Sequence, residues 1–236
     1  MTKNSQTPHK SNSVGHEVAL LMHGVENYDV SDLNKFLRTQ LRRERFGIED
    51  SIKSDDEIMA LLSESHAASK KLKDGTVLWS MYSCRGPKDA KNITRLLIER
   101  LDPRDYDIAI DSEVPLTINT AKHRGMFQKA LKLPEKTKFI SLVYGGMDPA
   151  RLMNTFELEN RFRAGMPMDR REVRKVFPGM GYTFMGVGEY EFMAGHTYPE
   201  HDALYIGAFG EDAGKMIEPI RAYLEPKEIR YLQASD

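Results

Sequence analysis

The segment KFISLVYGGMDPARLMNTFELENRFRAGMPM, residues 138–168, constrains the fold more than any other stretch of this chain. Residues 139–144 form an almost unbroken apolar run, which is typical of a strand that is covered on both of its faces. A strand exposed on one face would alternate apolar and polar residues instead. We therefore expect this run to be a central strand of a sheet, paired in parallel with its neighbours.

The residues that follow this run predict a turn and a helix. Gly145 and Gly146 permit a tight turn or the close approach of another backbone. Asp148, which is followed by a proline, is a favourable N-cap, and the helix is expected to end before Gly165. A helix that starts at the carboxyl end of a strand lies where open α/β sheets bind their ligands.

Upstream residues repeat the same alternation of strand and helix. Over residues 76–164 the apolar periods predict three strands and three helices, with strands at 76–83, 106–110 and 139–144 and helices at 87–101, 120–133 and 149–164. Such alternation is typical of a parallel-sheet domain.

The sequence thus predicts an α/β fold with a mostly parallel sheet flanked by helices and a C-terminal antiparallel α+β extension. A disordered tail is expected for residues 1–15, an α/β domain with its core at 76–164 for residues 16–168, and the extension for residues 169–236. Further helices are expected at 54–72, after a capping-box pattern, and at 169–177. No internal repeat is visible in the sequence.

Composition excludes several classes of protein. The chain has 236 residues, 40% of them hydrophobic, and 34 basic against 35 acidic side chains, so no global charge draws it to nucleic acid or membranes. The single cysteine, Cys84, excludes an internal disulfide framework and a cysteine-rich zinc site. Without an apolar run long enough to span a bilayer, we expect a soluble cytoplasmic protein that does not bind membranes. The oligomeric state is left open.

A basic helix is predicted at residues 31–46. Its apolar residues recur at helical spacing, and its other side carries Lys35, Arg38, Arg42, Arg43 and Arg45. This cluster could bind the phosphates of a nucleic acid. The competing interpretation is a solvated helix face with cations near the helix C-terminus, where the helix dipole favours them.

Two segments carry a resemblance to a known family. TVLWSMYSCRGPKDAKNITRLLIERL, residues 76–101, and DPARLMNTFELENRFRAGMPM, residues 148–168, together resemble the nucleoside 2-deoxyribosyltransferases and, more distantly, the Toll/interleukin receptor domains. The likeness covers less than half of the chain. It departs from the family pattern in the residues that precede Glu157 and in those that follow it.

The resemblance implies an enzyme that processes the N-glycosidic bond of a nucleoside or nucleotide. Glu157 would then be the catalytic carboxylate that stabilises an oxocarbenium-like transition state, with Asp148 orienting it or protonating the leaving base. Substrate binding would fall to the loops after three strands, with these residues: Tyr82, Ser83, Arg85, Asp111, Gly145 and Gly146. No cofactor and no metal ion are expected.

Helical projection leaves the identity of the carboxylate open. Glu159 lies nearer than Glu157 to the middle of the apolar arc of this helix, so a buried carboxylate would more naturally be Glu159. The alternative is that both glutamates are part of a solvated surface, with Glu159 and Arg163 as an i,i+4 pair.

Other chemical patterns are weak. Glu189 and Glu191 are similar to the Glu-x-Glu motif of ADP-ribosyltransferases, but alternation along an antiparallel strand also explains them. His196 and His201, with nearby acidic residues, could bind a metal ion, although a polar hairpin loop is the simpler interpretation. The sequence contains no phosphate-binding Walker loop, no nucleophile elbow and no dinucleotide fingerprint. The two functions that stay open are an N-glycosidic-bond enzyme and a nucleic-acid-binding or assembly protein that uses the basic helix.

Overall fold

The computed structural model describes residues 14–54, 56–62, 65–115, 137–179 and 181–235. Within them the first half of the chain forms a six-stranded antiparallel sheet with the strand order β2-β3-β4-β5-β1-β6. Its strands are β1 (Val14–His23), β2 (Ile48–Lys53), β3 (Glu57–Leu62), β4 (Ser65–Lys71), β5 (Val77–Ser83) and β6 (Asp105–Pro115). We call it the first sheet.

The second half forms another six-stranded antiparallel sheet, the second sheet, with the order β12-β7-β11-β10-β9-β8. Its strands are β7 (Phe139–Gly145), β8 (Arg171–Phe177), β9 (Gly181–Val187), β10 (Phe192–Tyr198), β11 (Ala203–Phe209) and β12 (Glu228–Ser235). A short 3₁₀ turn, Pro199–His201, joins β10 to β11.

The two sheets pack face to face between two layers of helices. Apolar residues such as Leu78 of the first sheet and Phe192 of the second share one core cluster. The outer face of the first sheet is covered by α1 (Val30–Arg43) and α2 (Pro87–Leu101), and that of the second by α3 (Pro149–Met153), α4 (Thr155–Gly165) and α5 (Ala213–Leu224). The result is a four-layer sandwich of helices, sheet, sheet and helices.

The two halves repeat one topology, which the sequence did not reveal. Each half runs strand, helical segment, four strands, helix, strand, and the two strand orders correspond when β1 to β6 are matched with β7 to β12. Gly24, which follows β1, and Gly146, which follows β7, adopt similar positive φ angles of 66° and 69°. The halves are therefore repeats in structure.

The predicted fold class was wrong, because both sheets are antiparallel. The central strand β7 does exist, but it pairs antiparallel with β11 and with β12. Its run is apolar because helices cover its outer face and the first sheet covers its inner face. A continuous apolar run reports burial on both faces and carries no information about strand direction. The segment 169–236 also contributes strands to the same sheet as β7.

Two predicted helices are strands. The described part of residues 54–72 is dominated by β3 and β4, and residues 171–177 form β8. The capping-box pattern misled because the Ser54 hydroxyl donates to Asp56, at 2.7 Å, while Glu57 is fully buried in contacts with the second sheet. Tertiary contacts overrode the local helical signal.

Other local predictions were confirmed. Helices occur at α1 and α2, and Asp148 caps α3 by accepting a hydrogen bond from the Ala150 amide at 2.9 Å. The single helix predicted for residues 149–164 is divided into α3 and α4 at Asn154, which is the N-cap of α4. The predicted helix at 120–133 and most of the predicted tail lie outside the described residues. Among the described helices, none combines the length and apolar character that a membrane span requires.

Candidate active site between the sheets

Polar side chains occupy the interior of the sandwich, where the two sheets face each other. Glu17 of β1, His66 of β4 and Ser80 of β5 come from the first sheet, and His196 of β10 and Tyr205 of β11 come from the second. All five are at most 2% exposed. Because a buried polar group is stable only when it is hydrogen-bonded, the bonds of these residues determine what they can do.

Their hydrogen bonds form one continuous chain. His196 Nε2 lies 3.0 Å from His66 Nδ1, and His66 Nε2 lies 2.9 Å from Ser80 Oγ. The Ser80 hydroxyl donates to Glu17 Oε1 at 2.8 Å, and the Tyr205 hydroxyl donates to Glu17 Oε2. At the other end, Thr183 Oγ1 lies 3.1 Å from His196 Nδ1. We call this series, Thr183–His196–His66–Ser80–Glu17 with Tyr205, the polar relay.

The donor direction along the polar relay follows from the Ser80 bond. Because Ser80 donates to Glu17, Ser80 Oγ accepts from His66 Nε2–H, which leaves His66 Nδ1 as an acceptor for His196 Nε2–H. His196 Nδ1 then accepts from the Thr183 hydroxyl. Each hydrogen bond of the series is thus donated in the direction of Glu17. Protonation of Glu17 would allow each donor and acceptor along the series to exchange roles. The relay can therefore transfer a proton equivalent between the two sheets.

Burial shifts the acid–base properties of the polar relay. Desolvation raises the pKa of Glu17 from 4.5 to about 7, although its bonds from Tyr205 and Ser80 oppose the shift. Burial lowers the pKa of His66 to about 3, and burial together with His66 lowers the pKa of His196 well below its ordinary value. Both histidines are thus neutral near neutral pH, and Glu17 is the member that titrates there.

A pair of nucleophilic side chains lies beside the relay. Ser65, the residue before His66, donates from Oγ to Cys84 Sγ at 3.5 Å and accepts from the Cys84 amide at 3.2 Å. Ser65 is fully buried, whereas Cys84, just beyond the end of β5, is half-buried. Cys84 packs against an aromatic cluster that contains Tyr82 and Tyr205. The pair and the relay therefore share this aromatic cluster, which Cys84 contacts and to which Tyr205 belongs.

The tyrosines of this cluster form a wall beside the relay. The rings of Tyr82 and Tyr205 stack with centroids 4.0 Å apart, and the hydroxyls of Tyr82 and Tyr198 lie 3.3 Å apart. Burial, and secondly Glu17, raise the pKa of Tyr205 well above its ordinary value, so this hydroxyl remains a donor. The rings of these tyrosines provide an apolar surface, and their hydroxyl groups are held in fixed positions.

A separate group of buried charges links the sheets elsewhere. Lys70 Nζ lies 3.3 Å from Glu57 Oε2 and also donates to the Gly188 carbonyl, while Arg171 donates to the other oxygen of Glu57. Each charge has a partner of opposite sign, as burial requires. Within the described residues, no group of three or more histidine, cysteine or acidic side chains is placed to hold a metal ion.

Three of the residues predicted to bind substrate lie on the two strands that flank β1, with Tyr82 and Ser83 on β5 and Asp111 on β6. Tyr82 belongs to the tyrosine wall, and Ser83 is buried and paired in register with His16. His16 Nε2 in turn lies 2.7 Å from Asp111 Oδ1. Burial alone would raise the pKa of Asp111, but the bonds from Lys91 and His16 lower it below its ordinary value.

Arg85 lies outside this group. Its guanidinium forms an ion pair with Asp89 at 3.0 Å, donates to the Glu44 carbonyl and stacks over the Phe46 ring. Those contacts are with α2 and the segment after α1. The guanidinium is therefore engaged within the helical layer of the first sheet.

The predicted catalytic carboxylates lie in the helical layer of the second sheet. Glu157 of α4 is paired with Arg161 at 3.3 Å, and Asp148 is exposed at the start of α3. Neither hydrogen-bonds to the polar relay within the described residues. Gly145 is covered by Arg230, and Gly146 faces Lys227. Tyr82 and Ser83 of β5 and Asp111 of β6 belong to the first sheet, whereas Glu157 lies on α4, a helix that covers the second sheet. The catalytic role of Glu157 stays a prediction.

Sequence reasoning did not find the polar relay or the Ser65–Cys84 pair. His196 was considered only as a metal ligand in a loop, yet it lies inside strand β10. The available signal was a charged residue inside an otherwise apolar strand, as with Glu17 in GHEVALL. Such a residue is either paired in the core or functional.

Comparisons with known proteins identify no family for this chain. No protein-family model matches the sequence, and no curated protein matches it. Among solved structures, the adenosylmethionine decarboxylase from Aquifex aeolicus VF5 is similar over 44% of this chain and 92% of its own, with 18% identity and a TM-score of 0.38.

Proposed function

We propose that the chain is an enzyme whose catalytic centre is the Ser65–Cys84 pair together with the polar relay. The observation that carries the proposal is the continuous hydrogen-bonded series between Glu17, with a pKa of about 7, and His196 on the opposite sheet. A group that titrates near neutral pH is suited to general acid–base catalysis. Strongly perturbed pKa values that cluster beside nucleophiles favour a functional site.

The competing interpretation is that the relay only clamps the two sheets together. Apolar side chains of similar volume would hold the sheets at lower cost, because buried polar and charged groups lose hydration that their bonds only partly replace. A clamp also has no need for a half-buried thiol within 3.5 Å of a buried serine hydroxyl. These two features favour a chemical role.

In this proposal Cys84 and Ser65 hold the bound molecule through hydrogen bonds, and the relay or the Cys84 thiol supplies the proton that replaces the leaving group on the substrate. The neutral histidines exchange protons without carrying a permanent charge in the core. Tyr82 and Tyr205 exclude water and orient the bound molecule through their hydroxyls.

We propose a small molecule that carries a nucleoside as the substrate. This retains the substrate class that the sequence resemblance implies, and transfers its chemistry from Glu157 to the Ser65–Cys84 pair. The reaction to test first is the decarboxylation of S-adenosylmethionine, a nucleoside-bearing amino acid. Release of a base from nucleosides and nucleotides is measured beside it.

Release of carbon dioxide from carboxyl-labelled S-adenosylmethionine is the assay, with Cys84→Ala, Ser65→Ala and Glu17→Gln as variants. We expect each to lower turnover at least about 100-fold, the usual range for a catalytic group. The matched control is Ser112→Ala on β6, whose hydroxyl approaches the Glu113 carbonyl at 3.5 Å and bonds to Tyr231, outside the relay. The intact mass of the purified protein is measured first. A covalent change at Ser65, or cleavage of the chain before Ser65, would itself show that the pair is reactive.

Glu157→Gln separates the two locations of the active site. The inter-sheet proposal expects unchanged turnover on every substrate, because Glu157 contacts Arg161 on its own helix. Loss of base release in this variant, with Cys84→Ala still active, would transfer the active site to α4 and overturn the proposal.

A further inference from the structure

The arginines of the chain divide sharply by location. Every described arginine from Arg85 to Arg230 forms an ion pair with a carboxylate. Four described arginines form no ion pair. They are the first four arginines of the described chain and lie on or just after α1: Arg38, Arg42, Arg43 and Arg45. Together with Lys35, which also forms no ion pair within the described residues, they make up what we call the α1 basic patch.

The arrangement of the α1 basic patch suits an extended anionic partner. Lys35, Arg38 and Arg42 follow one another at intervals of three and four residues, so they line one side of the helix over about 10 Å. Lys35, Arg42, Arg43 and Arg45 are exposed. Arg38 is half-buried and is held by hydrogen bonds to Asn34 and Ser51.

Acidic side chains around the patch are already engaged. Glu44 accepts a hydrogen bond from Asn92 at 2.6 Å, Glu49 is paired with Lys175, and Asp32 is paired with Arg100. The helix dipole accounts for cations in the last turn, at Arg42 and Arg43, but not for Lys35 and Arg38 farther back. Lys35, Arg42, Arg43 and Arg45 therefore face solvent without an ion-pair partner from the described part of the chain.

We infer that the α1 basic patch binds the phosphate backbone of a double-stranded nucleic acid. Arginine is suited to bidentate contact with phosphate oxygens, and a duplex presents phosphates at close regular spacing. A membrane surface is disfavoured, because the exposed large apolar side chains of the described residues lie on other elements. Base stacking on single strands is disfavoured too, since Phe36 packs on the core and Phe46 is covered by Arg85.

The test is fluorescence anisotropy of a labelled DNA duplex of random sequence, titrated with the full chain between about 50 mM and about 200 mM salt. We expect weak binding, with affinity that falls steeply as salt rises. Arg42→Glu/Arg43→Glu should weaken binding at least tenfold and reduce the salt slope by about 2. Arg42→Gln/Arg43→Gln serves as a milder variant in case charge reversal at the helix end disturbs folding.

The matched control is Arg95→Glu/Arg104→Glu. It changes the net charge equally at two exposed arginines that are 57% and 77% exposed and already paired. This control should retain binding and the full salt slope. An equal loss in the control, an affinity independent of salt, or binding to anionic lipid vesicles with none to the duplex would each overturn the inference. The readout is independent of the proposed enzyme activity.

Discussion

His66 and His196 lie 130 positions apart in the chain and on different sheets, yet their Nδ1 and Nε2 atoms are 3.0 Å apart. Each ring also bonds to a hydroxyl of its own sheet, His66 to Ser80 and His196 to Thr183. This contact is therefore one of the points where hydrogen bonding crosses from the first half of the chain to the second, and the Tyr205–Glu17 bond is another. It makes the relative position of the sheets a condition for proton transfer.

Replacing His196 by alanine should destabilise the fold by about 2–4 kcal/mol, because the change creates a cavity and leaves His66 Nδ1 without its donor. Urea denaturation at pH 7 measures the free energy of unfolding. His201→Ala is the control, since this side chain lies in the turn after β10 and is partly exposed. It should change stability by about 0.5 kcal/mol or less. Equal losses in both variants would contradict a special role for the inter-sheet contact.

Glu17 makes stability depend on pH in a direction opposite to that of most carboxylates. Its pKa is raised to about 7 in the fold from an ordinary value of 4.5, so the folded chain binds more protons than the unfolded chain between these values. The contribution of Glu17 is therefore fully present below about pH 4.5 and is lost as the pH rises through 7, by up to about 3 kcal/mol. The buried histidines act in the opposite sense at lower pH, because their pKa values are lowered.

Comparison of the wild type with Glu17→Gln isolates this carboxyl group. Glutamine imitates the protonated acid, so the variant should gain stability relative to the wild type as the pH rises from about 5 to about 8. Unfolding free energies at several pH values provide the measurement, and the histidine contributions cancel in the difference. A difference that stays constant with pH would show that Glu17 does not titrate in this range.

Local signals in the sequence predicted individual elements better than their assembly. The helices α1 and α2 were found because their apolar period lies within the helix itself. Strand β7 was found as an apolar run, but the direction of its neighbours depends on β11 and β12, which are distant in sequence. Glu57 resembled part of a helix cap because its partner Arg171, 114 residues away, cannot be inferred from local spacing.

The candidate site was harder to predict for the same reason. The relay takes its members from β1, β4, β5, β9, β10 and β11, so no spacing within one segment announces it. Of the predicted residues, Tyr82 and Ser83 lie near Cys84, because they are the last two residues of β5 and directly precede it. The relay itself exists only after the two halves have packed.

Gly195 is a glycine that the close packing of α4 on the second sheet requires. It lies within β10, where a Cβ atom would be 2.2 Å from Cζ of Phe162. Gly195→Ala should displace this buried ring of α4 and destabilise the fold by about 1–3 kcal/mol. Gly75→Ala is the control, because at its φ of 86° a Cβ atom meets nothing within 4 Å and only backbone strain is added. Thermal denaturation of both variants separates contact from strain, and equal losses would exclude the contact with Phe162.

Lys70 should be far more important to stability than the neighbouring Lys73. Lys70 is 5% exposed and lies 3.3 Å from the fully buried Glu57, whereas the Lys73 side chain is 65% exposed and pairs with Glu189. Lys70→Met leaves Glu57 with Arg171 alone and should cost about 3 kcal/mol, because the fully buried Glu57 loses one of its two cationic partners. Lys73→Met should change stability by about 0.5 kcal/mol or less. In the double variant Glu57→Gln/Lys70→Met much of the loss should be recovered, since no unpaired buried charge remains. Urea denaturation of the three variants gives these values, and a double variant with fully additive losses would show that Glu57 and Lys70 contribute independently.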